Sequence, residues 1–180
     1  MRIQAHGLTV QAPTGLDARI YRRKPEHDDE RTHPIVHLCT RSMPEDRGDY
    51  GSGVVDLLTA DDVFISLMEF GPESVDTPLF AHKGMPAGFD QATFSQQALQ
   101  RTLTGQSGAQ YWFSEAGRAF CLYVVLGSHV NRRRLMARVK ALVDTLQIEP
   151  SSATTIAPGT QQQPDASGNP VVPPTKGDDQ

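Results

Sequence analysis

The residues of this chain that first suggest chemistry form a row of potential metal ligands in the run His33-Pro34-Ile35-Val36-His37-Leu38-Cys39. Residues two apart on a strand share a face, so His33, His37 and Cys39 would lie in one row. Imidazole and thiolate both bind zinc. Neighbouring ligands on an extended strand would be about 6.6–7 Å apart, which is too far for one ion with bonds of about 2.0–2.3 Å to join His33 to Cys39. We therefore expect a strand that carries histidines and no metal site.

A second candidate is the glycine-rich run Gly48-Asp49-Tyr50-Gly51-Ser52-Gly53. It is not a nucleophile elbow, because Tyr50 stands where that motif requires glycine, two residues before Ser52. It is not a phosphate-binding P-loop either, because no Lys followed by Ser or Thr comes after it. We interpret the run as a flexible turn, and the alternative is a mobile binding loop beside Asp49 and Tyr50.

The cysteines and paired carboxylates do not form a catalytic pattern. Cys39 and Cys121 each stand inside an apolar run, which predicts two buried, reduced thiols; a disulfide between them is the alternative if their strands are neighbours. The pairs Asp28-Asp29 and Asp61-Asp62 fall in solvated turns, where a carboxyl group lacks the pocket that catalysis requires. The sequence therefore favours a protein that is not an enzyme, and it implies no cofactor.

The strongest electrostatic feature is a cluster of cations in the last predicted helix. Its members fall within nine residues and are Arg132, Arg133, Arg134, Arg138 and Lys140. We interpret the cluster as a surface for an acidic protein partner, on the premise that nothing in the fold neutralises it; the alternative is an ordinary solvated helix face. The formal charge of the chain is −4, so the remainder is acidic, which argues against broad nucleic-acid binding.

Composition divides the chain at residue 150. All the aromatic residues (seven Phe, four Tyr and one Trp) precede it, whereas Pro, Ser, Thr and Gln dominate the residues after it. We expect a single α+β domain at 1–149 and a disordered tail at 150–180. The longest apolar run, Ala119–Leu126, has the length of a strand, so we expect no membrane span and, since the start lacks an apolar leader, a cytoplasmic protein.

Period-two alternation predicts most of the strands. The predicted strands are Gly7–Ala12, Leu16–Arg23, Pro34–Thr40, Val54–Leu58, Val63–Phe70, Ala109–Ser114 and Arg118–Leu126. We expect the first two to form a hairpin through Pro13-Thr14-Gly15, and Thr59–Asp62 to turn between Val54–Leu58 and Val63–Phe70; the alternative there is a short helix capped by Thr59. In Arg118–Leu126, Phe120 and its alternate neighbours face one way and Cys121, Tyr123 and Val125 the other, which indicates a strand covered on both faces.

The final element is an amphipathic helix at Asn131–Gln147, with an apolar stripe formed by Leu135, Val139, Leu142, Val143 and Leu146. One helix covers one face of a sheet, so we expect the segment 71–108, with a helical turn near Ser95–Thr102, to cover the other. A pocket between the sheet and this segment, lined by His37, Tyr50 and Trp112, would suit a small enzyme or a ligand-binding protein.

The opening run Gly7–Leu16 resembles the first hairpin of the PsbP-like superfamily, in which a short amphipathic strand enters a Pro-x-Gly turn. The closing strand and the helix that ends Val143-Asp144-Thr145-Leu146-Gln147-Ile148 also resemble the end of that family. The resemblance covers residues 1–23 and 109–149 and implies an antiparallel sheet with flanking helices. It further implies an accessory or assembly role without catalysis, and it transfers no functional residue.

Taken together, the sequence predicts an α+β fold: an antiparallel sheet of six to seven strands, one face of which is covered by the C-terminal amphipathic helix. The predicted function is that of a non-enzymatic accessory or protein-binding module that uses the basic face of this helix. The alternative is a small enzyme or small-molecule-binding protein with the pocket described above. The sequence leaves the oligomeric state open.

Overall fold

A computed structural model describes residues 1–45, 48–51 and 53–151. Its elements in chain order are β1 (Arg2–Ala5), β2 (Leu8–Gln11), β3 (Asp17–Arg22), β4 (Pro34–Cys39), α1 (Val54–Leu57), β5 (Val63–Phe70), β6 (Ser107–Glu115), β7 (Arg118–Leu126), α2 (Arg132–Val143) and β8 (Leu146–Ile148). Short 3₁₀ turns lie at Pro72–Ser74, Pro78–Phe80 and Gln91–Thr93. The α+β class and the antiparallel pairing are confirmed; the predicted tail at 150–180 lies outside the described residues after Ser151.

The strands form two antiparallel sheets, whereas the sequence predicted one sheet of six to seven strands. The first sheet has the order β1-β2-β8, and the second has the order β3-β4-β5-β7-β6. The predicted hairpin of the first two strands is wrong: β2 pairs with β1, and β3 pairs with β4. The turn at Pro13, where the Leu16 amide donates to the Pro13 carbonyl, carries the chain from one sheet into the other.

The face of the five-stranded sheet that we call the helix-covered face has an apolar core. Phe120, Leu122, Val124 and Leu126 of β7 are buried there, which confirms the predicted alternation along this strand. Leu135 and Val139 of α2 and Leu8 and Val10 of β2 pack in the same cluster. The helix and the small sheet together therefore close this face.

Helix α2 ends four residues before the predicted boundary. Thr145 closes it, since its amide and its hydroxyl both donate to the Leu142 carbonyl. The chain then extends into β8, in which Ile148 pairs with Leu8 and Leu146 with Val10. The helical periodicity of Leu146 was overridden because β2 has an open edge that this segment fills with backbone hydrogen bonds.

The segment before β5 also differs from its prediction. Val54–Leu57 is one turn of helix instead of a strand, while β5 is confirmed at Val63–Phe70. The predicted hairpin through Thr59–Asp62 is therefore wrong, and the alternative helix capped by Thr59 does not form either. The chain turns there, and the Asp62 carboxylate accepts the Thr59 amide at 2.8 Å and the Thr59 hydroxyl at 2.7 Å. The helical turn predicted at Ser95–Thr102 does not form; the structure describes all of these residues, and none of them is helical.

The opposite face, which we call the loop-covered face, is covered by Met43, by residues 50–58 other than 52, and by only part of the segment 71–108. Met43, Tyr50, Val54 and Leu58 pack there against Phe64, Cys121, Tyr123 and Val125. The segment 71–106 divides between the two faces, since Leu99 packs on this side and Phe94 on the helix side. Met43 and Tyr50 therefore have a packing role that the composition of their loop did not indicate.

The two sheets are joined by the buried side chain of Arg118, which is 7% exposed. Its guanidinium donates to the Glu69 carboxylate at 2.9 and 2.5 Å, to the carbonyls of His6 and Gly7 at 3.0 and 2.8 Å, and to the Glu149 carbonyl at 3.3 Å. These five contacts match the five N–H groups of arginine. One side chain of the large sheet thus fixes the β1–β2 turn and the end of β8.

Candidate functional site

The predicted cations of α2 lie at the end of the molecule where the turn 59–62 meets the start of the helix. Arg134 forms an ion pair with the Asp61 carboxylate, and the Arg138 guanidinium donates to the Asp61 carbonyl. Arg132 donates to the His129 carbonyl one turn back at 2.9 Å. Arg133 is exposed and makes no ion pair with the residues that the structure describes.

This contact corrects the premise that nothing in the fold neutralises the basic face, because Asp61 partly neutralises it. The Arg134–Asp61 pair is itself exposed, at 60% and 59% of the two side chains. A pair in that position is weakened by solvent and salt. Both groups therefore stay accessible to a competing charge.

Lys140 makes no contact with Asp61; it lies six residues after Arg134 on α2. Its amino group contacts both carboxylate oxygens of Asp144 at 2.7 Å. This pair has the i, i+4 spacing that stabilises an isolated helix by about 0.2–0.5 kcal/mol. The structure thus gives Lys140 a local contact that the sequence analysis had not assigned, and separates it from the arginines.

Backbone contacts fix the turn 59–62 to the loop that precedes α2. The Gly127 amide donates to the Asp62 carbonyl at 3.0 Å, and the Asn131 side chain donates to the Ala60 carbonyl at 3.3 Å. A Cβ atom on Gly127 would lie 1.8 Å from the Thr59 carbonyl oxygen, so only glycine permits this close approach. The spatial relation of Asp61 to the arginines is therefore rigidly set.

Two arginines that the sequence analysis missed lie around the same turn. Arg41 donates to the Leu57 carbonyl and lies 3.5 Å from the Asp62 carboxylate. Arg101 contacts both carboxylate oxygens of Asp56 at 2.5 Å. They come from distant parts of the sequence, so no local charge pattern could have indicated them.

We call this surface the arginine end. It comprises Arg41, Arg101, Arg132, Arg133, Arg134 and Arg138, with Asp56, Asp61 and Asp62 among them. Six positive charges less three negative charges leave a formal +3, on a chain whose total is −4. The charge of this protein is therefore strongly segregated.

The carboxylate of Asp62 stays ionised in this setting. Partial burial acts to raise its pKa, but hydrogen bonds from Thr59 and Thr40 and the charge of Arg41 outweigh that effect, so the pKa lies below its usual value. Asp62 is therefore occupied in holding the turn 59–62 and the end of β4. It is not a candidate acid or base.

Two exposed apolar side chains accompany the arginines. Val130, in the loop before α2, is 86% exposed, and Leu57, at the end of α1, is 49% exposed. Each belongs to a segment that contributes to the arginine end. Apolar residues beside arginines are a composition typical of protein interfaces.

The predicted pocket residues do not converge on one site. Tyr50 lines a cavity of about 290 Å³ on the loop-covered face, and Trp112 borders a different cavity with His82 and Tyr111. His37 lines neither of them. Of the three residues, Tyr50 alone lies in a cavity between a face of the sheet and part of the segment 71–108.

His37 is instead a buried structural residue at 3% exposure. Its Nε2 lies 3.2 Å from the Asp49 carbonyl and 3.3 Å from the Tyr21 hydroxyl, and Ser66 donates to the same Asp49 carbonyl at 2.6 Å. Burial lowers the His37 pKa to about 4, the Asp49 hydrogen bond notwithstanding. The neutral ring therefore anchors the loop 48–51 to the sheet, and with it the glycine-rich run.

Both cysteines are free and fully buried. Burial raises the pKa of Cys39 to about 11 and that of Cys121 to about 12. Cys39 pairs with Phe64 of β5 and Cys121 with Met68, four residues along the same strand, so their strands do not bring the thiols together. The alternative of a disulfide is therefore excluded, and neither thiol is poised as a nucleophile.

No group of three His, Cys, Asp or Glu side chains in the described ranges is arranged to hold a metal ion. Within the same ranges, none of the helices is both long enough and apolar enough to cross a membrane. Comparison of the chain with protein-family models, with curated proteins and with solved structures found no match.

Proposed function

We propose that this protein is a non-enzymatic accessory module that binds an acidic segment of a partner protein through the arginine end. Four arginines, Arg41, Arg101, Arg134 and Arg138, contact Asp56, Asp61 and Asp62, and Arg132 and Arg133 precede Arg134 on α2. The resulting local charge of +3, in a chain with a total charge of −4, is the observation that carries the proposal. A field of this kind attracts and orients an acidic partner.

The stability cost of the arginines supports the same conclusion. Arg132, Arg133 and Arg134 occupy the first turn of α2, which contains no acidic residue. Cations at a helix N-terminus oppose the helix dipole, at about 0.3–1 kcal/mol each when exposed. Arg133 has this cost without an ion pair among the described residues, and residues that break a local rule without a structural gain are often functional.

Apolar contact would add to the electrostatic attraction. Val130 and Leu57 are exposed beside the arginines, and an acidic segment with a central apolar side chain would meet both. The Arg134–Asp61 pair is exposed and exchangeable, so a carboxylate of the partner can replace Asp61 without unfolding any part of the site.

We further propose an accessory role and a cytoplasmic location for this protein. The resemblance to the PsbP-like superfamily, whose members serve mostly as accessory or assembly modules, supports a role without catalysis. Two free, buried thiols are typical of a reducing compartment, and for that reason the proposal places the protein in the cytoplasm.

The test is charge reversal with a matched control. One variant carries Arg133→Glu, Arg134→Glu and Arg138→Glu; the control carries Arg2→Glu, Arg22→Glu and Lys24→Glu at exposed sites in β1, in β3 and just after β3. Each substitution changes the charge by two, so both variants have the same net charge. Binding of a fluorescent acidic peptide with a central Leu is measured for each by anisotropy.

We expect the α2 variant to bind at least about tenfold more weakly than the control, and its residual binding to depend less on salt. Equal binding by the two variants, or binding that does not weaken with salt, would refute the proposal, because the field would then be that of the whole chain or no field at all.

A further inference from the structure

The outer edge of β6 is covered at its two ends and open between them. At one end, Gly108 and Ser95 exchange two backbone hydrogen bonds of 2.9 and 3.0 Å. At the other end, the Ser114 amide donates to the His82 carbonyl at 2.8 Å, and the Ser114 carbonyl accepts the Gly84 amide at 2.9 Å. The segment 82–95 is therefore bound to this edge at two points of β6, with residues 109–113 between them.

Gln110 and Trp112 lie in the open stretch, and their backbone groups point away from β7. On a strand, the N–H and C=O groups of residues two apart point to the same side, so these two residues share the direction of Gly108 and Ser114. No hydrogen bond joins the amide or the carbonyl of either residue to a loop residue that the structure describes. Two backbone donors and two backbone acceptors are therefore unpaired along the open edge.

A cavity of about 450 Å³ lies over this edge. Gln110, Tyr111 and Trp112 line it on the strand side, and residues 86–88 line it on the opposite side. Because the cavity is bounded by the strand and by the segment that crosses the open stretch, the outward backbone groups of Gln110 and Trp112 face it. Its volume is within the range of ligand sites, about 300–1,000 Å³.

The aromatic rings at this cavity are held by their neighbours, and its lining is uncharged. The Trp112 ring packs against Phe70 and Phe80 at centroid distances of 5.5 and 5.4 Å, and Tyr111 meets Phe89 edge to face at 5.3 Å. Among the described residues that line the cavity, none is Asp, Glu, Lys or Arg. The site therefore suits a flat, uncharged ligand that hydrogen-bonds to backbone groups.

The covered ends limit what can pair with the edge. The distance along β6 from Gly108 to Ser114 is about 20 Å, and Ser95 and Lys83 lie opposite these two residues. A strand that continued past either end would overlap the covering segment, and a second copy of β6 would bring the same segments with it. The open edge therefore favours a ligand no longer than the stretch 110–112 over an added strand.

We propose that this cavity binds a small, flat, uncharged ring in which an N–H donor is next to a carbonyl acceptor, as in a cyclic amide. The ring N–H donates to the Gln110 carbonyl, and the ring carbonyl accepts the Trp112 amide. In a parallel sheet, a single residue of the neighbouring strand binds two groups placed in this way.

This inference goes beyond the function proposed above, because the lining of the cavity shares no residue with the arginine end. The site is also distinct from the cavity beside Tyr50, whose walls include Val55, Leu99 and Gln106.

The probes are 2-quinolone, which is a flat cyclic amide, and 1-methyl-2-quinolone, which lacks the N–H donor. Each is titrated into the full chain, and the backbone amide signals are followed by NMR. We expect 2-quinolone to bind with a dissociation constant on the order of 1 mM, as suits a ligand of its size, and to shift the Trp112 amide signal. We expect the methylated probe to bind at least about tenfold more weakly, because the Gln110 carbonyl then lacks its donor.

Amide hydrogen exchange tests the open edge itself. In the protein without ligand, the amides of Gln110 and Trp112 should exchange faster than those of Tyr111 and Phe113, which point towards β7. Addition of 2-quinolone at five times its dissociation constant should slow the exchange of the Trp112 amide about sixfold. The amide of Gln110, which the ligand does not bind, should be slowed less.

Two matched variants locate the site. Ala87→Trp adds a large side chain to the lining of the cavity and should weaken the binding of 2-quinolone at least about fivefold. Ala92→Trp makes the same change at an exposed position outside the lining and should leave the binding unchanged. If Ala87→Trp fails to fold, the comparison of the two probes and the exchange rates of the unaltered chain still decide.

Equal affinity for the two quinolones would overturn the proposal, because the Gln110 carbonyl would then not accept from the ring. Absence of binding by 2-quinolone at about 5 mM would also overturn it, as would unchanged binding by a folded Ala87→Trp variant. Slow exchange of the Gln110 and Trp112 amides in the protein without ligand would show that the edge is already covered, and would overturn it too. None of these results affects the charge-reversal experiment, which concerns other residues and another probe.

Discussion

The two faces of the five-stranded sheet are closed in different ways. Two regular elements, α2 and the β1-β2-β8 sheet, close the helix-covered face together with Phe94. The β7 side chains in this core cluster, from Phe120 to Leu126, are apolar, and Arg118 at the start of β7 pairs with Glu69 at the margin of the face. Irregular segments close the loop-covered face, and a transverse row of polar residues holds them: Arg19, His37, Ser66, Tyr123 and Gln110, which follow one another in register across the strands.

The residues of this polar row form hydrogen bonds with the backbone of the covering loops. Arg19 donates to the carbonyls of Met43 and Pro44 at 2.5 Å, and the Tyr123 hydroxyl accepts the Gln100 amide at 3.2 Å. Loops expose carbonyls and amides that a fully apolar face could not satisfy. The helix-covered face is thus closed mainly by apolar packing. The loop-covered face forms hydrogen bonds with the backbone of its loops and retains a cavity.

The largest effect should come from the clamp that holds the small sheet over the helix-covered face. Arg118→Met leaves Glu69, which is 13% exposed, as a buried charge without its partner, and removes donors from three carbonyls. Loss of one member of a buried ion pair costs about 3–5 kcal/mol. Urea unfolding should show a decrease of this size in the free energy of unfolding; a decrease below about 1 kcal/mol would mean that the two sheets are held by apolar contact alone.

An intermediate effect should appear on the loop-covered face when the pH falls. The pKa of His37 is about 4 in the folded protein and 6.5 in the reference state, so the unfolded chain binds the proton more readily. Stability from this group is complete above pH 6.5 and is lost as the pH falls towards 4, by up to about 3 kcal/mol at 1.36 kcal/mol per pKa unit.

The variant His37→Phe isolates this contribution. Its free energy of unfolding should decrease less between pH 7.5 and pH 4.5 than that of the unaltered chain, the difference being about 2–3 kcal/mol. Urea titrations at the two pH values provide the measurement. Parallel pH curves for the two proteins would show that His37 binds its proton as readily in the folded protein as in the unfolded chain, which would contradict this account.

The smallest effect should come from the exposed ion pair that joins α1 to the segment 99–106. Arg101 and Asp56 are 61% and 43% exposed, and exposed pairs contribute about 0–1 kcal/mol. Asp56→Asn should therefore leave the melting temperature within about 3 °C of the unaltered value. A larger decrease would show that the walls of the cavity depend on this pair, and that the loop-covered face is less well anchored than its polar row indicates.

The sequence predicted those parts of the fold in which local pattern and tertiary environment agree. Strands β4, β5 and β7 and the buried stripe of α2 are of this kind, because the apolar pattern in the sequence coincides with burial in the fold: on both faces of the strands and on one face of the helix. The partition into two sheets was not predictable, since a turn at Pro13 is compatible with either a hairpin or a change of sheet. The strand at Leu146–Ile148 was hidden for a related reason: three residues cannot outweigh the helical pattern that precedes them.

The residues of the candidate sites also fall into those that the sequence indicates and those that it does not. Arg133, Arg134 and Arg138 are visible as a local cluster, but Arg41 and Arg101 join them only through the folding of distant segments. Gln106 carries no signal in the sequence at all, because a single glutamine before a strand is ordinary. Its side chain donates to the Val55 carbonyl, which is 51 residues away in the sequence, so only folding brings the two together.

The most direct test of the account is to map the binding of an acidic peptide by two-dimensional NMR on the ¹⁵N-labelled protein. The account predicts that the amide signals shifted by the peptide are those of Leu57, Ala60, Val130 and Arg133, and that added salt reverses the shifts. Shifts confined to other surfaces, such as the β1-β2-β8 sheet, or no shifts at peptide concentrations of about 1 mM, would contradict the assignment of the arginine end as a binding surface.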